Sequence, residues 1–283
     1  MRKNSFILFI LSFLICIQTA NAQDDLMQWF ESMSAQAITY TKQKEYVKSI
    51  ECYKTIIKRI EGTPIESLTQ KLKEMIAVNH LRMGADLLKS KDYESSKQHL
   101  DTAASLSNAD AKIYPNVQRW LGNWCDAMAM NKQLANKNLQ EALVLYQTAE
   151  KHFELAKAND KCLDSKLSQA KVLRDLNSND EAEELLIGVI SSSKDDSGMG
   201  AVYGQALVCL GNIELESERY QQAIDHLEQG FDFCLTANKL VYAQLAANSL
   251  HLLYTRHIPE KEKETLWGQR YEELKQRTTK DEK

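Results

Sequence analysis

The sequence is poor in residues that interrupt helices, with three prolines and ten glycines among 283 residues. It also lacks any sustained alternation of apolar and polar residues, the pattern that predicts half-buried strands. Ala, Leu, Glu, Lys and Gln, which are good helix formers, are abundant instead. These absences argue against a β-rich fold, and the composition predicts an all-α protein.

A surplus of basic residues is also missing, because 35 Lys and Arg residues stand against 39 Asp and Glu residues. Proteins that bind nucleic acid neutralise its phosphates with clustered Lys and Arg side chains. We therefore expect no nucleic-acid partner.

One long apolar stretch occurs, at the amino terminus. Its twelve residues, 6–17, follow Arg2 and Lys3 and precede the sequence Ala20-Asn21-Ala22. This order is typical of a secretory signal peptide with an A-x-A cleavage site. We predict that residues 1–22 are cleaved, which leaves 33 basic and 39 acidic residues in an exported chain of residues 23–283. The predicted location is periplasmic, with a secreted or envelope-associated protein as alternatives.

Two other interpretations of this segment stay open. A retained anchor would use the same twelve residues, although a membrane span needs about 20. Cys16 would suit a lipoprotein, although Ile15 occupies a position where lipoprotein signals carry a small residue. No later stretch reaches the length of a span, so we predict no membrane span in the mature chain.

A recurring spacing is the main positive signal in the sequence. A small residue is followed nine positions later by tyrosine, then by a second small residue and a large one. Self-similarity at a long period is typical of helical repeat proteins. The three full sets are Ala37/Tyr46/Ser49/Tyr53, Gly84/Tyr93/Ser96/Leu100 and Gly211/Tyr220/Ala223/Leu227, and the set Ala170/Asn179/Ala182/Leu186 lacks the tyrosine.

Apolar residues at helical steps surround these sets, so each set predicts an antiparallel pair of helices. In the third pair, Gly122 and Ala142 stand eight residues further apart than the corresponding residues elsewhere, which predicts extra helical turns around Asn131–Asn138. A final helix rich in Glu, Lys and Arg would cap the array. We predict six pairs, near residues 25–61, 63–107, 109–157, 161–191, 201–235 and 238–277.

Two breaks between pairs carry local signals. Gly62 suits the left-handed position after a helix. Thr63 and Glu66 form a T-x-x-E pattern, which predicts a capping box at the start of the next helix. The polar stretch 191–200, rich in Ser, Asp and Gly, predicts a flexible loop.

Two of the sets resemble the tetratricopeptide repeat. The resemblance rests on Met83-Gly84, Lys91-Asp92-Tyr93, Ser96 and Leu100, and again on Leu210-Gly211, Tyr220, Ala223 and Leu227. Successive small positions lie 47, 38, 48, 41 and 36 residues apart, against about 34 in the family, so the helices are longer. The resemblance implies a right-handed α-solenoid of about six antiparallel helix pairs over residues 23–283, with a concave groove for a protein or peptide partner.

In that family the first helix of each pair lines the groove, and the residue after the small position points into it. The resemblance therefore implies a partner groove lined by Asn123, Asn212, Asn248 and Lys171, with Arg119, Arg174, Gln205 and Gln244 one turn away. A carboxamide offers both a donor and an acceptor to a peptide backbone. The alternative is an ordinary solvated helix face, since exposed polar residues need no functional explanation.

Tryptophans and cysteines allow two interpretations each. Trp120 and Trp124, four residues apart on one predicted helix, suit core packing or a partly exposed anchor for a ligand. The five cysteines after residue 22 lack metal-type spacing. We expect buried free thiols, with one native disulfide as the alternative.

Motifs for catalysis, metals and cofactors are missing as well. No H-E-x-x-H, G-x-S-x-G, Walker or dinucleotide-binding pattern occurs. A helical peptidoglycan-acting enzyme would need a glutamate acid held in a cleft. The Glu-Ser dipeptides all fall inside predicted repeats, at Glu31, Glu66, Glu94 and Glu216. We therefore predict no enzyme activity, no metal and no cofactor.

The sequence thus predicts a non-catalytic protein–protein interaction adaptor of the cell envelope. It would bind a peptide or protein segment in a concave helical groove. The alternative is an extracytoplasmic sensor of a ligand or peptide that works with a separate membrane signalling protein. A helical peptidoglycan-acting enzyme is disfavoured by the missing motifs.

Overall fold

The structure is a computed structural model that describes residues 21–134 and 138–281. The predicted signal peptide, residues 1–22, lies almost wholly outside this part of the chain, so its cleavage stays a prediction. Part of the predicted extension near Asn131–Asn138 also lies outside the described residues.

Within the described residues the protein is helical and contains no strand. Two 3₁₀ turns occur, Glu66–Leu68 and Ser197–Met199. The all-α prediction and the six helix pairs are confirmed. The α-helices of residues 21–134 and 138–281 number twelve: α1 Asn21–Lys42, α2 Tyr46–Ile60, α3 Thr69–Lys89, α4 Tyr93–Leu106, α5 Tyr114–Leu134, α6 Leu139–Leu155, α7 Asn159–Asp175, α8 Asn179–Ser193, α9 Gly200–Glu216, α10 Tyr220–Thr236, α11 Leu240–Arg256 and α12 Lys261–Asp281.

The helices form two compact units, which we describe separately. Unit 1 ends at Tyr114 and contains the pairs α1/α2 and α3/α4, whereas unit 2 begins at Pro115 and contains the four pairs from α5 to α12. In each unit, consecutive helices pack on one another. This local packing is characteristic of repeat proteins, in which each repeat contacts its neighbours.

The glycines at the first small position of a pair lie where the two paired helices approach closely. A Cβ atom added to Gly84 would lie 2.8 Å from Cγ of Leu100, and one on Gly211 would lie 2.7 Å from Cγ of Leu227. A Cβ atom added to Gly122 of the third pair would lie 2.7 Å from Cε1 of Phe153. An added methyl would force a neighbour to move at all three positions, so the contacts confirm the close helix packing that the recurring spacing predicts.

The turns between helices also repeat. A residue in the left-handed region of the backbone follows six of the helices, and a glycine, Gly62 with φ of 71°, follows α2. The glycine prediction is therefore confirmed. The six other residues are Lys44, Lys91, Lys157, Asn177, Glu218 and Asn238.

The predicted capping box after Gly62 is wrong. The hydroxyl of Thr63 donates to the carbonyl of Ile60 at 2.6 Å, and so closes the preceding helix instead of opening the next. The carboxylate of Glu66 accepts from the Gly62 N–H at 3.0 Å, and α3 begins only at Thr69. The Thr63 hydroxyl thus satisfies a carbonyl at the end of α2, where the last carbonyls lack helical partners. Glu66 satisfies the N–H of the glycine that follows the helix.

The predicted loop over residues 191–200 is shorter in the structure. Helix α8 continues to Ser193, and the 3₁₀ turn Ser197–Met199 leads directly into α9. The carboxylate of Asp196 accepts from the N–H of Gly198 at 2.8 Å and so fixes this turn. Ser and Asp favour such local bonds to the backbone. The composition of residues 191–200 therefore predicted a loop where the structure has a short hydrogen-bonded turn.

Helix α12 covers the last core layer of unit 2, as a cap does. Its buried residues are Trp267 and Leu274, and the Trp267 ring meets the Phe231 ring edge-on at 5.1 Å between centroids. Leu266, beside Trp267 on the same helix, is 44% exposed. The remaining face carries the charged residues that the sequence predicted for a capping helix.

A matched pair of glycine substitutions tests the close helix approach. We expect Gly211→Ala to lower the free energy of unfolding by about 1–3 kcal/mol, because the added methyl overpacks the contact with Leu227. The control is Gly188→Ala in α8, whose added Cβ meets no atom within 4 Å. It should raise stability by about 0.5–1 kcal/mol through helix propensity. Urea denaturation measures both, and equal stabilisation by the two substitutions would contradict the packing described.

Candidate functional site

The first helices of the pairs in unit 2 crowd together on one side. Helix α9 packs on both α7 and α11. Across α9, Lys171 of α7 hydrogen-bonds to the hydroxyl of Tyr242 of α11, and its Nζ lies 4.9 Å from the centre of that ring. Because helices two pairs apart touch here, this side is the concave side of unit 2. We call it the inner face.

Helix α9 closes the middle of the inner face. Every residue from Val202 to Glu214 is buried, and no charged residue occurs between Gly200 and Ile213. A helix that is buried all round is typical of the core of a protein. The surface beneath the Lys171–Tyr242 contact is therefore packed protein, not an open groove.

Two of the predicted groove residues lie inside this closed region. Gln205 is 9% exposed and Asn212 is 8% exposed. The Asn212 carboxamide donates to the carbonyl of Val208 at 2.7 Å and accepts from the hydroxyl of Ser249 at 2.6 Å. This carboxamide is occupied within the protein, so we leave Asn212 and Gln205 out of the candidate surface.

The other predicted groove residues lie nearer the surface, and several have partners. Arg119 is exposed and pairs with Asp160 at 3.6 Å, and Arg174 pairs with Asp175 at 3.5 Å. Gln244 accepts from the hydroxyl of Thr278 at 2.9 Å. Lys171 is bound to Tyr242 as described, while Asn123 and Asn248 are half-buried. Two members of the predicted set are thus buried in α9, and the other six lie on other helices. Binding by these six residues stays a prediction.

Helices α5 and α7 form the open part of the inner face. Asn123 and Asp126 lie one turn apart on α5, and Asp164, Ser168 and Lys171 follow one side of α7 at helical spacing. All five side chains are half-buried. This polar set, which we call the α5–α7 surface, is our candidate binding site.

A hydrogen bond joins the two helices at the centre of the α5–α7 surface. The hydroxyl of Ser165, which is buried, donates to Oδ1 of Asp126 at 3.0 Å. The same kind of bond joins first helices at two other places. Thr41 donates to the Asn79 carboxamide at 2.9 Å, and Ser249 donates to that of Asn212. In both of these contacts the acceptor is a neutral amide, whereas in the contact of Ser165 the acceptor is the carboxylate of Asp126.

The environment of Asp126 makes its charged form costly. Burial raises the pKa of this carboxyl to about 6, and the negative charge of Asp164 acts in the same direction. The hydrogen bond from Ser165 and the charge of Lys161 oppose the rise. On α6, burial and the charge of Asp126 raise the pKa of Tyr146 to about 12, so its hydroxyl stays protonated.

Sequence reasoning missed Asp126, because an isolated Asp within a helix carries no motif. Its spacing offered a signal, since it lies four residues after Gly122, as Thr41 lies four residues after Ala37. Both positions bond to the first helix of the next pair. A comparison of the repeats at this position would have found it.

The fold also brings together two histidines that lie 19 residues apart in the sequence. Nδ1 of His80 on α3 lies 2.9 Å from Nδ1 of His99 on α4, so one ring donates to the other. Burial, with His99 and Lys54 adding to it, lowers the pKa of His80. In the described residues, no group of three potential metal ligands occurs, and no helix is long and apolar enough to span a membrane.

The remaining sequence expectations concern packing. Cys52, Cys162, Cys209 and Cys234 are buried with free thiols, and Cys125 is buried as well. Trp124 packs partly buried against the core of the third pair, beside Cys125 and Phe153. Neither residue type lies on the α5–α7 surface defined above.

Comparisons with known proteins return structural similarity without sequence relatives. No family model and no curated protein matches the chain. BtubC (BKLC) from P. vanneervenii is similar at 13% identity and a TM-score of 0.41, over 75% of this chain and 82% of that one. A putative kinesin light chain with TPR-like repeats from Podosopora anserina has 14% identity and a TM-score of 0.35, over 73% and 95%.

A third similar structure is Acl4, described as an assembly chaperone of RpL4, with 12% identity and a TM-score of 0.38. The matched region covers 89% of this chain and 99% of that one. The fold of the present chain is established by the packing of its own helices within each unit.

Asn212 offers a test of which predicted residues are structural. We expect Asn212→Ala to lower the free energy of unfolding by about 1–3 kcal/mol, because the buried Ser249 hydroxyl loses its acceptor. The half-buried Asn248, one pair later, is the control, and Asn248→Ala should change stability by less than about 0.5 kcal/mol. Equal losses in denaturant titrations would contradict the assignment.

The raised pKa of Asp126 predicts a pH-dependent stability. A raised folded pKa means that the carboxyl contributes stability below its unfolded pKa of about 4 and loses it as the pH rises past about 6. We expect Asp126→Asn, which is neutral at every pH, to raise stability at pH 8 by about 2–3 kcal/mol, with little effect at pH 4. Denaturation at both pH values measures this. The control is Asp225→Asn at an exposed site on α10, and a stability loss in Asp126→Asn at pH 8 would contradict the account.

Proposed function

We propose that this chain is a non-catalytic adaptor of the cell envelope that binds a segment of another protein on the inner face of unit 2. Helical repeat proteins in general present extended concave surfaces to other proteins. The observation that carries the proposal is the α5–α7 surface, a half-buried band of polar side chains from two neighbouring first helices.

The chemistry of this surface suits an extended polypeptide. Asn123 can donate to and accept from a peptide backbone. Asp126 supplies a further polar group one turn along α5, and Ser168 lies one turn from Ser165 on α7. At one end, Arg119 and Asp160 form an exposed ion pair at 3.6 Å that a partner can approach. Exposed ion pairs contribute little to stability, so such a pair is free to exchange partners.

The location follows from the predicted signal peptide, residues 1–22, with its basic residues, apolar stretch and A-x-A site. We propose a periplasmic protein. Amino-terminal sequencing of the protein isolated from the envelope of its own cells tests this part, and the expected mature chain begins at Gln23. A chain isolated from the cytosol with Met1 intact would contradict it.

Site-specific photocrosslinking tests the binding surface. A photoreactive amino acid placed at Asn123 or Ser168 should crosslink to a protein partner in living cells, because both positions lie on the α5–α7 surface. The control positions are Gln229 and Asp225, which are exposed on the second helix α10. Mass spectrometry identifies the adducts. Adducts from the control positions alone, or from all four positions equally, would contradict the proposed surface.

A further inference from the structure

The α5–α7 surface contains a carboxylate, Asp126, whose charge is only partly offset by the Ser165 hydrogen bond and the charge of Lys161. Oδ1 of Asp126 accepts from the Ser165 hydroxyl at 3.0 Å, and within the described residues no ion pair to Asp126 is formed. The residue is half-buried, so a group arriving from the inner face has access to it. Burying a charge without an ionic partner is costly.

The cations near Asp126 are engaged elsewhere. Lys161, whose charge lowers the pKa of Asp126, donates to the carboxylate of Asp164 at 3.2 Å. Lys171 is bound to Tyr242, and Arg119 pairs with Asp160. Tyr146, on the helix beneath, donates a hydrogen bond to Gln133 at 3.4 Å. The groups that surround Asp126 therefore leave its negative charge available.

The structural task of Asp126 does not require a charge. An asparagine would accept the Ser165 hydrogen bond equally well, as Asn79 and Asn212 accept hydroxyl bonds between the other first helices. A carboxylate at this position costs stability that an amide would keep. The charge is thus the property that distinguishes this contact from its two counterparts. A carboxylate can bind a cationic group, which a neutral amide does far less well.

We propose that the segment bound on the α5–α7 surface presents a lysine or arginine side chain to Asp126. This inference rests on the proposed function and names the partner chemistry of the same surface. A charge-assisted hydrogen bond to a half-buried carboxylate is stronger than the same bond in water, because the local dielectric constant is lower. Asp164, one helix away, adds to the negative potential that attracts the cation. Asn123, one turn from Asp126, would hold the adjacent peptide backbone.

Selection from a displayed library of random twelve-residue peptides tests this inference on the full chain. Peptides that bind the unmodified protein should share one position occupied by Lys or Arg. The substitution Asp126→Asn should remove that preference and weaken the best peptide at least tenfold. Asp126→Arg should select Asp or Glu at the same position. Asp225→Asn, which removes an exposed carboxylate of α10, is the matched control and should select the original peptides.

The pH provides a second measurement on the best selected peptide. Its affinity should fall at least tenfold between pH 7.5 and pH 4.5, as the carboxyl of Asp126 becomes protonated, and the affinity for Asp126→Asn should change much less. Crosslinking the peptide to Asn123 confirms that it occupies this surface.

The outcomes separate the two proposals. If no peptide is selected by the unmodified chain, both the proposed function and the inference are overturned. If peptides bind at Asn123 without a basic position, or keep that position after Asp126→Asn, the inference is overturned while the proposed function stands. Basic peptides that crosslink elsewhere also overturn the inference.

Discussion

The structure depends on the close approach of paired helices at a few glycines. A methyl group added to Gly84, Gly122 or Gly211 would displace the side chain of Leu100, Phe153 or Leu227, respectively. Protein interiors are packed as densely as organic crystals, so these contacts fix how far each first helix can slide along its partner. That register decides which residues of the first helix meet the core and which meet the next pair. In this register, Thr41, Ser165 and Ser249 form hydrogen bonds between successive first helices.

The inner face of unit 2 has a buried, closed part and a polar, half-buried part along its row of first helices. Helix α9 is buried from Val202 to Glu214, and the contact between Lys171 and Tyr242 covers it. Helices α5 and α7 keep a half-buried polar band with one carboxylate, Asp126, whose charge is only partly offset. Natural proteins retain residues that cost stability where function needs them. The packing of the helices makes the charge of Asp126 unfavourable, and its presence therefore supports the proposed binding of a cationic side chain.

Much of the fold could be predicted from the sequence, because small residues and turns act locally. The spacing from Gly211 to Tyr220 and Leu227 predicted a close helix pair, and Gly62 predicted the end of α2. The candidate site was less accessible to this reasoning. Asn212 follows a small residue as Asn123 does, yet the approach of α7 and α11 buries one and not the other. That approach is a property of three helix pairs together, and the only local sign of it was the uncharged sequence of α9. The histidines of α3 and α4 were likewise joined by packing and not by any motif.

The central claim is that the α5–α7 surface binds a segment of a partner protein. Hydrogen–deuterium exchange tests this claim most directly. Exchange reports local opening of each helix with and without a bound segment. With a bound peptide, the account predicts slower exchange of backbone amides in α5 and α7 around Asn123 and Ser168, with α10 and α12 unchanged. Slower exchange confined to α10 and α12, or no change in any helix of unit 2 at saturating peptide, would contradict it.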